Sequence, residues 1–362
     1  MSVEKKYKNK MGMFDFIKGI AIFAVLYWHT LEMWEGEPGF DALIGLNGFF
    51  GACWMPAFLL SSAYWYKPKD VKTYSANQLK SLFVPYIRLQ VMIWICFCIA
   101  HYMKWGYFLD TLKGVKHVMY GSVSGNMNEF YIGGTCICGI GPMWFIITLC
   151  FSGILFNMIM KQEKIKHKWI PIVILAMIGV LFGNVKVQPY CFSAVLAGVL
   201  PLYVGYRLKE SKFLIRKWTA KDYFFIWLIG FICYAFVGFT LMNGLYNNAV
   251  YVVFGIPMGI VALRFGLWVG QKDNKFVMFF KKLGRYTFWI LMVHTLEIMS
   301  IDWHWFKNWH VLAGLSPFLS FFIVLVIRLC LVTCGCLALS KVNKYYTRWK
   351  ENGVHKGIIK SK

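Results

Sequence analysis

The sequence predicts an all-α, polytopic integral membrane protein of about ten transmembrane helices, with both termini in the cytoplasm. Three observations carry that prediction. Of the 362 residues, 59% are hydrophobic and 19% aromatic, above the roughly 45–50% apolar share of soluble domains. Apolar runs near the length a bilayer demands recur at 14–34, 44–66, 82–103, 142–160, 169–184, 190–206, 222–241, 249–270, 286–301 and 311–338. With the amino terminus inside, 30 of the 39 Lys and Arg fall in inner segments, five in outer segments and four within the runs. That asymmetry follows the positive-inside rule. The net charge of +23 is therefore a topology signal, and no nucleic-acid partner is expected.

The first run, Phe14 to Trp34, carries Asp15, Lys18, His29 and Glu32. A charged group at the middle of a membrane helix costs roughly 2.5 kcal/mol or more, so each needs a partner or a function. Lys18 and His29 are eleven residues apart, which places them on one helix face roughly 16 Å apart. Asp15 precedes Lys18 by three and Glu32 follows His29 by three, so each basic group has an acidic neighbour on the same stripe. A structural Lys18–Asp15 ion pair is one reading of the lower couple. The run is too long for a signal-peptide core and has no small-residue cleavage site after it, so no cleavable leader is expected.

The second run is rich in small residues, which lets neighbouring helices approach closely. A basic inner loop, 67–81, leads into the third run. The outer loop 104–141 is long, rich in Gly, aromatics and amides, and holds Glu129; partial order against the bundle is expected. Cys136 and Cys138 lie in it, while the other nine of eleven cysteines fall in apolar runs. No His or carboxylate cluster of metal-site spacing surrounds that pair, so no metal centre is expected. The middle runs read as packing scaffold. Arg264 and Arg328 each stand alone in an apolar run. Arg264 can pair with a carboxylate, hold a phosphate or snorkel to the interface. The ninth run repeats a tetrapeptide of the first: His294-Thr295-Leu296-Glu297 matches His29-Thr30-Leu31-Glu32. Both copies fall toward the outer end of an odd-numbered run, so both belong at a similar depth. The segment 341–362 reads as a basic cytoplasmic tail after a single membrane domain, 1–340.

These residues carry a family resemblance. Lys18-x10-His29 resembles the Arg/Lys-x10-His signature of the membrane-bound acyltransferase-3 family, whose members O-acylate sugars and other small acceptors at the cell envelope. Pro56 to Tyr64 resembles that family's Pro-to-Ser-Gly-Tyr segment, with Ser62 and Tyr64 matching and Ala63 where glycine is usual. Pro85-Tyr86 resembles a Pro-Tyr junction, with Lys80 and Arg88 near it rather than an arginine pair. Trp144-Phe145, the segment 201–209 and the ninth run with His294 are similar to further family motifs.

The resemblance implies transfer of an acyl group, most often acetyl, from cytoplasmic acyl-CoA to a hydroxyl of an envelope carbohydrate, at a plasma or inner membrane. It implies catalytic roles for His29, Glu32 and His294. It implies substrate contacts for Lys18, Asp15, Ser62, Tyr64, Arg88, Trp144 and Glu297. A general base needs a third group to hold its tautomer, which Glu32 can provide for His29. His294 with Glu297 can act as a second base, an acid for the leaving thiolate, or a hydrogen-bonding group for the acceptor. Trp28, Trp34, Trp105, Trp144, Trp303, Trp305 and Trp309 gather at expected outer ends, which suits a sugar face and equally a membrane-anchoring belt. The other reading is a proton-coupled transporter or polysaccharide exporter, in which the same His and Glu groups relay protons. Nucleotide-binding glycine loops, H-E-x-x-H and G-x-S-x-G are absent, so phosphoryl transfer, zinc hydrolysis and serine hydrolysis lack support.

Overall fold

The computed structural model describes residues 12–105, 120–121, 123–126, 130–132, 135–137, 139–242, 248–272, 274–309, 312 and 314–360. Glu129, Cys138, the first eleven residues and the segments 106–119 and 243–247 lie outside the described residues. A helix stands at each of the ten expected apolar runs. The first, α1 (Asp15–Leu31), ends in a 3₁₀ turn over Glu32–Trp34, and α2 (Asp41–Tyr64) returns beside it. Then come α3 (Val71–Gln78) and α4 (Val84–Trp105). Past a small hairpin lie α5 (Trp144–Lys161), α6 (Trp169–Leu181), α7 (Phe192–Glu210) and α8 (Ala220–Met242). The chain continues through α9 (Asn248–Phe254), α10 (Ile256–Val269), α11 (Lys275–Arg285), α12 (Thr287–Ser300), α13 (Trp303–Lys307) and α14 (Pro317–Lys360).

Among the described residues, six helical stretches are long and apolar enough to cross a bilayer. The pair α9–α10, bent by 57°, makes a seventh if taken as one span. α6 and α12 are shorter apolar helices, as the short runs anticipate. Large apolar side chains face outward along α6, α8 and α14, Phe224, Phe231, Leu181 and Phe322 among them. Faces of that kind cannot be left to water, and they identify a membrane protein.

The segments expected as loops differ. Most of 67–81 is helical: Asp70 caps α3, accepting from the Thr73 amide at 2.9 Å, and a π-helical turn over Leu79–Phe83 joins α3 to α4. Hydrogen bonds from Thr73 also hold the Asp70 carboxyl below its ordinary range. Pro85 explains the widened turn, because its missing N–H and its ring disrupt the turn before it. In the outer loop, β1 (Phe130–Ile132) pairs antiparallel with β2 (Thr135–Ile137), with Tyr131 opposite Cys136. The terminal helix α14 runs unbroken through position 340 into the basic tail.

The inner segment 271–285 contains the amphipathic helix α11, which buries Val277 and Phe280 against α1. Two glycines let these backbones touch. A Cβ added at Gly19 would fall on the carbonyl oxygen of Phe280, and one added at Gly284 on the carbonyl oxygen of Asp15. Gly284→Ala should therefore destabilise the protein by about 1–3 kcal/mol, the usual cost of overpacking. Gly45→Ala, in α2 with open space around it, should be neutral or slightly stabilising. Apparent Tm values of the two variants in detergent check this, and equal shifts would refute the close-approach argument.

The largest apolar cluster joins α1, α2, α4, α5, α7 and α12, with Leu59, Tyr86, Ile93 and Ile147 fully buried within it. A second cluster, at the end of the bundle where α1 begins, gathers Phe14, Tyr64, Leu214 and Leu263. A third, at the end where α1 finishes, gathers Leu31, Trp34, Phe40, Trp303 and Phe321. This third cluster holds the end of α1 beside α13 and α14, and that is where the polar groups collect.

Candidate active site

The repeated tetrapeptide folds the same way twice. On α1, His29 Nδ1 lies 2.8 Å from Glu32 Oε2; on α12, His294 Nδ1 lies 2.9 Å from Glu297 Oε1. Each intervening threonine turns back on its own helix, Thr30 Oγ1 donating to Leu26 O at 2.9 Å and Thr295 Oγ1 to Leu291 O at 2.8 Å. The i, i+3 spacing puts imidazole and carboxylate on adjacent turns of one face, so the dyad is local chemistry. An ionised carboxylate accepting from Nδ1–H leaves Nε2 as the nitrogen with the free lone pair.

Packing then sets the two dyads against each other. The ring centroids of His29 and His294 are 5.4 Å apart, with the planes inclined at 42°. Their surroundings differ: the His29 and Glu32 side chains are 28% and 44% exposed, whereas those of His294 and Glu297 are at 0% and 6%. One half of the site is thus open and the other sealed.

Arg328 joins the halves. From α14 it donates Nε and Nη2 to Glu297 Oε1, at 3.1 and 2.7 Å, and Nη1 to the carbonyl oxygen of His29 at 2.6 Å. The guanidinium also lies 5.0 Å from the ring centre of Trp303. A single buried arginine therefore fixes α14 to both α1 and α12 and compensates the Glu297 charge. Sequence reasoning left it as an isolated charge. The signal was present, since a lone arginine in an apolar run requires a partner, but the partner is 31 residues away in the chain. Around this cluster, His294 Nε2, Glu297 Oε2, Ser300 Oγ and Trp303 Nε1 are buried with no hydrogen-bond partner among the described residues.

Of the other residues expected at the site, Trp144 follows a turn that meets α12. The turn Gly141–Met143 packs on α12, with Gly141 beside Met299, and half-buried Trp144 follows it edge-on to Phe145 at 6.1 Å. The remainder lie toward the opposite end of their helices. Tyr64 is buried against Phe14 at 5.1 Å, and the Ser62 hydroxyl donates to Phe58 O at 2.7 Å on its own helix. Arg88 is exposed on the first turns of α4. The Lys18–Asp15 ion pair, one reading of the lower couple, does not form, and Asp15 pairs elsewhere. Asp15 Oδ2 pairs with Arg285 Nε at 3.4 Å and accepts from the Gly12 amide at 2.6 Å, because α11 brings its last turn alongside the start of α1. Half-buried Lys18 makes no hydrogen bond or ion pair within 4 Å among the described residues, although the Asp15 charge still acts on it. Among those residues no three His, Cys, Asp or Glu side chains are grouped to hold a metal ion.

The arrangement can therefore hold two imidazoles with defined tautomers side by side, one facing an opening and one sealed. The acyltransferase-3 family model, described as an acyltransferase domain, matches residues 12–340. No curated protein and no solved structure matches the chain.

Proposed function

The chain belongs to the acyltransferase-3 family, and from that premise we propose that it moves an acetyl or other acyl group from cytoplasmic acyl-CoA to a hydroxyl of a cell-surface carbohydrate. The observation that carries this reading is the facing pair of dyads, His29–Glu32 and His294–Glu297, with rings 5.4 Å apart. The enzyme sits in the plasma or inner membrane as ten spans with both ends cytoplasmic. Residues 1–340 form one membrane domain and 341–362 a basic tail. The charge asymmetry of the loops supports that topology.

In this mechanism His29 is the general base. Glu32 accepts its Nδ1–H and leaves Nε2 to take the proton of the acceptor hydroxyl. The acceptor oxygen bonds to the thioester carbonyl carbon, the C–S bond breaks, and the thiolate leaves with that proton as free CoA. The product is an ester, and no acyl-enzyme forms. The partial exposure of His29 supports an acceptor arriving from the outer side. The buried atoms without partners at His294 Nε2, Glu297 Oε2 and Trp303 Nε1 support binding of a hydroxyl-rich acceptor, which would supply hydrogen bonds they lack. Donor binding falls to the inner end. Lys18, free of a protein ion pair and roughly 16 Å below His29, meets the CoA phosphates, with Arg88, Ser62 and Tyr64 near the entry.

The test is CoA thiol release by purified protein in detergent, with acetyl-CoA and a panel of glycans, and mass spectrometry of the glycans. Acceptor-dependent thiol release and an O-acylated glycan, with no ion gradient present, are the expected results. Acceptor movement across vesicles that needs a proton gradient and proceeds without acyl-CoA would replace the reading with transport. Lys18→Gln should raise the KM for acyl-CoA by roughly tenfold at little cost to kcat, the loss of one charge-assisted contact worth about 1.5 kcal/mol. An unchanged KM would remove Lys18 from the donor site.

A further inference from the structure

Arg264 sits in the last turns of α10, an apolar helix, and its guanidinium is only partly satisfied by protein. Nη1 donates to the carbonyl oxygen of Leu214, and the group lies 5.3 Å from the ring centre of Trp218. No carboxylate pairs with it among the described residues. Asp222, at the start of α8, is already held by both Nη atoms of Arg216, at 3.0 and 2.5 Å, and by Thr219. A half-buried cation at the edge of a bilayer without a protein counter-ion calls for an anion from elsewhere.

The surroundings say which anion. Arg264 opens into a cavity of about 390 Å³ between α8 and α10, lined by Trp218, Tyr223, Trp227, Phe265 and Trp268. Phe265 and Trp268 are more than half exposed on its outer side. Lys272 lies over Trp268, 4.8 Å from the ring centre. The cavity is at the inner ends of both helices, flanked by the basic segments 207–221 and 271–285. Arg264 is five residues from the end of α10, roughly 7.5 Å of helix rise, which is headgroup and glycerol depth for a bilayer. Above it, α8 presents Phe224, Leu228 and Phe231 outward, a surface for acyl chains.

We infer that this cavity binds one anionic phospholipid of the cytoplasmic leaflet, its phosphate on Arg264, its glycerol region among the aromatics, and its chains along α8. The cavity faces away from α1, against which the opposite side of α10 packs through Gly266 and Ile17, so this site is separate from the His29–His294 centre and does not rest on the catalytic assignment.

The experiment is native mass spectrometry of the full-length protein recovered from bilayers with equal amounts of phosphatidylglycerol and phosphatidylcholine. The wild type should retain phosphatidylglycerol over phosphatidylcholine by about fivefold, the ratio expected of one basic side chain at an anionic surface. Arg264→Gln should bring the ratio to parity. Trp268→Ala, which leaves the bond to Leu214 in place, should lower total lipid retention and covers the case in which Arg264→Gln fails to fold. No preference in the wild type, a preference that survives Arg264→Gln, or total lipid retention unchanged by Trp268→Ala would overturn the proposal. Displacement of the retained lipid by excess inorganic phosphate would overturn it as well, by making the site one for free anions.

Discussion

His29→Ala should lower acyl transfer by about 10²–10⁴-fold, the range that a positioned general base contributes. It should leave stability within about 0.5 kcal/mol, because the side chain is partly exposed and its removal strands no buried group. Steady-state CoA release and apparent Tm, measured on the same preparation, separate the two effects. The contrast with His294→Ala is diagnostic. That ring is fully buried and bonded to the Glu297 oxygen that also holds Arg328, so its loss should lower both rate and Tm. Comparable rates for wild type and His29→Ala would place His29 in the scaffold and put His294 forward as the base.

Arg328→Met should cost about 3–5 kcal/mol of stability, since it leaves the Glu297 charge buried and uncompensated. It also frees the His29 carbonyl oxygen from its 2.6 Å bond, so the rate should fall although Arg328 reaches no substrate; it is a positioning residue. Adding Glu297→Gln removes the stranded charge, and the double variant should regain most of the lost Tm without regaining the rate. If the single and double variants melt alike, the Arg328–Glu297 pair does not stabilise the bundle, and the link between α14 and α12 is carried by apolar packing alone.

The sequence made the local half of this architecture readable. Helix positions followed from apolar length, and the dyads from three-residue spacings within a repeated tetrapeptide, because both are settled within one or two helical turns. What stayed hidden was non-local. Arg328 meets His29 across 299 residues and Asp15 meets Arg285 across 270; hydropathy sorts segments by depth but says nothing about which helices become neighbours. The amphipathic α11 enters the sequence reading only through its charges, which count toward topology, because its apolar face needs α1 to give it meaning. The helical stretch over 71–78 was missed for a related reason, since its mixed polarity carries no span signal. The family resemblance was borne out by the acyltransferase domain model that matches 12–340, but it gave no pointer to the arginine that ties α1 to α12.

The central claim is that the two dyads form one reaction centre. A double-mutant cycle in kcat/KM for acyl transfer, using His29→Ala, His294→Ala and the combined variant, tests it most directly. The account predicts strong non-additivity, with the double variant no more than about tenfold slower than the slower single variant, as for residues that act as a unit. Losses that multiply fully would mean two independent sites, and would contradict a shared centre built from the 5.4 Å approach of the two rings.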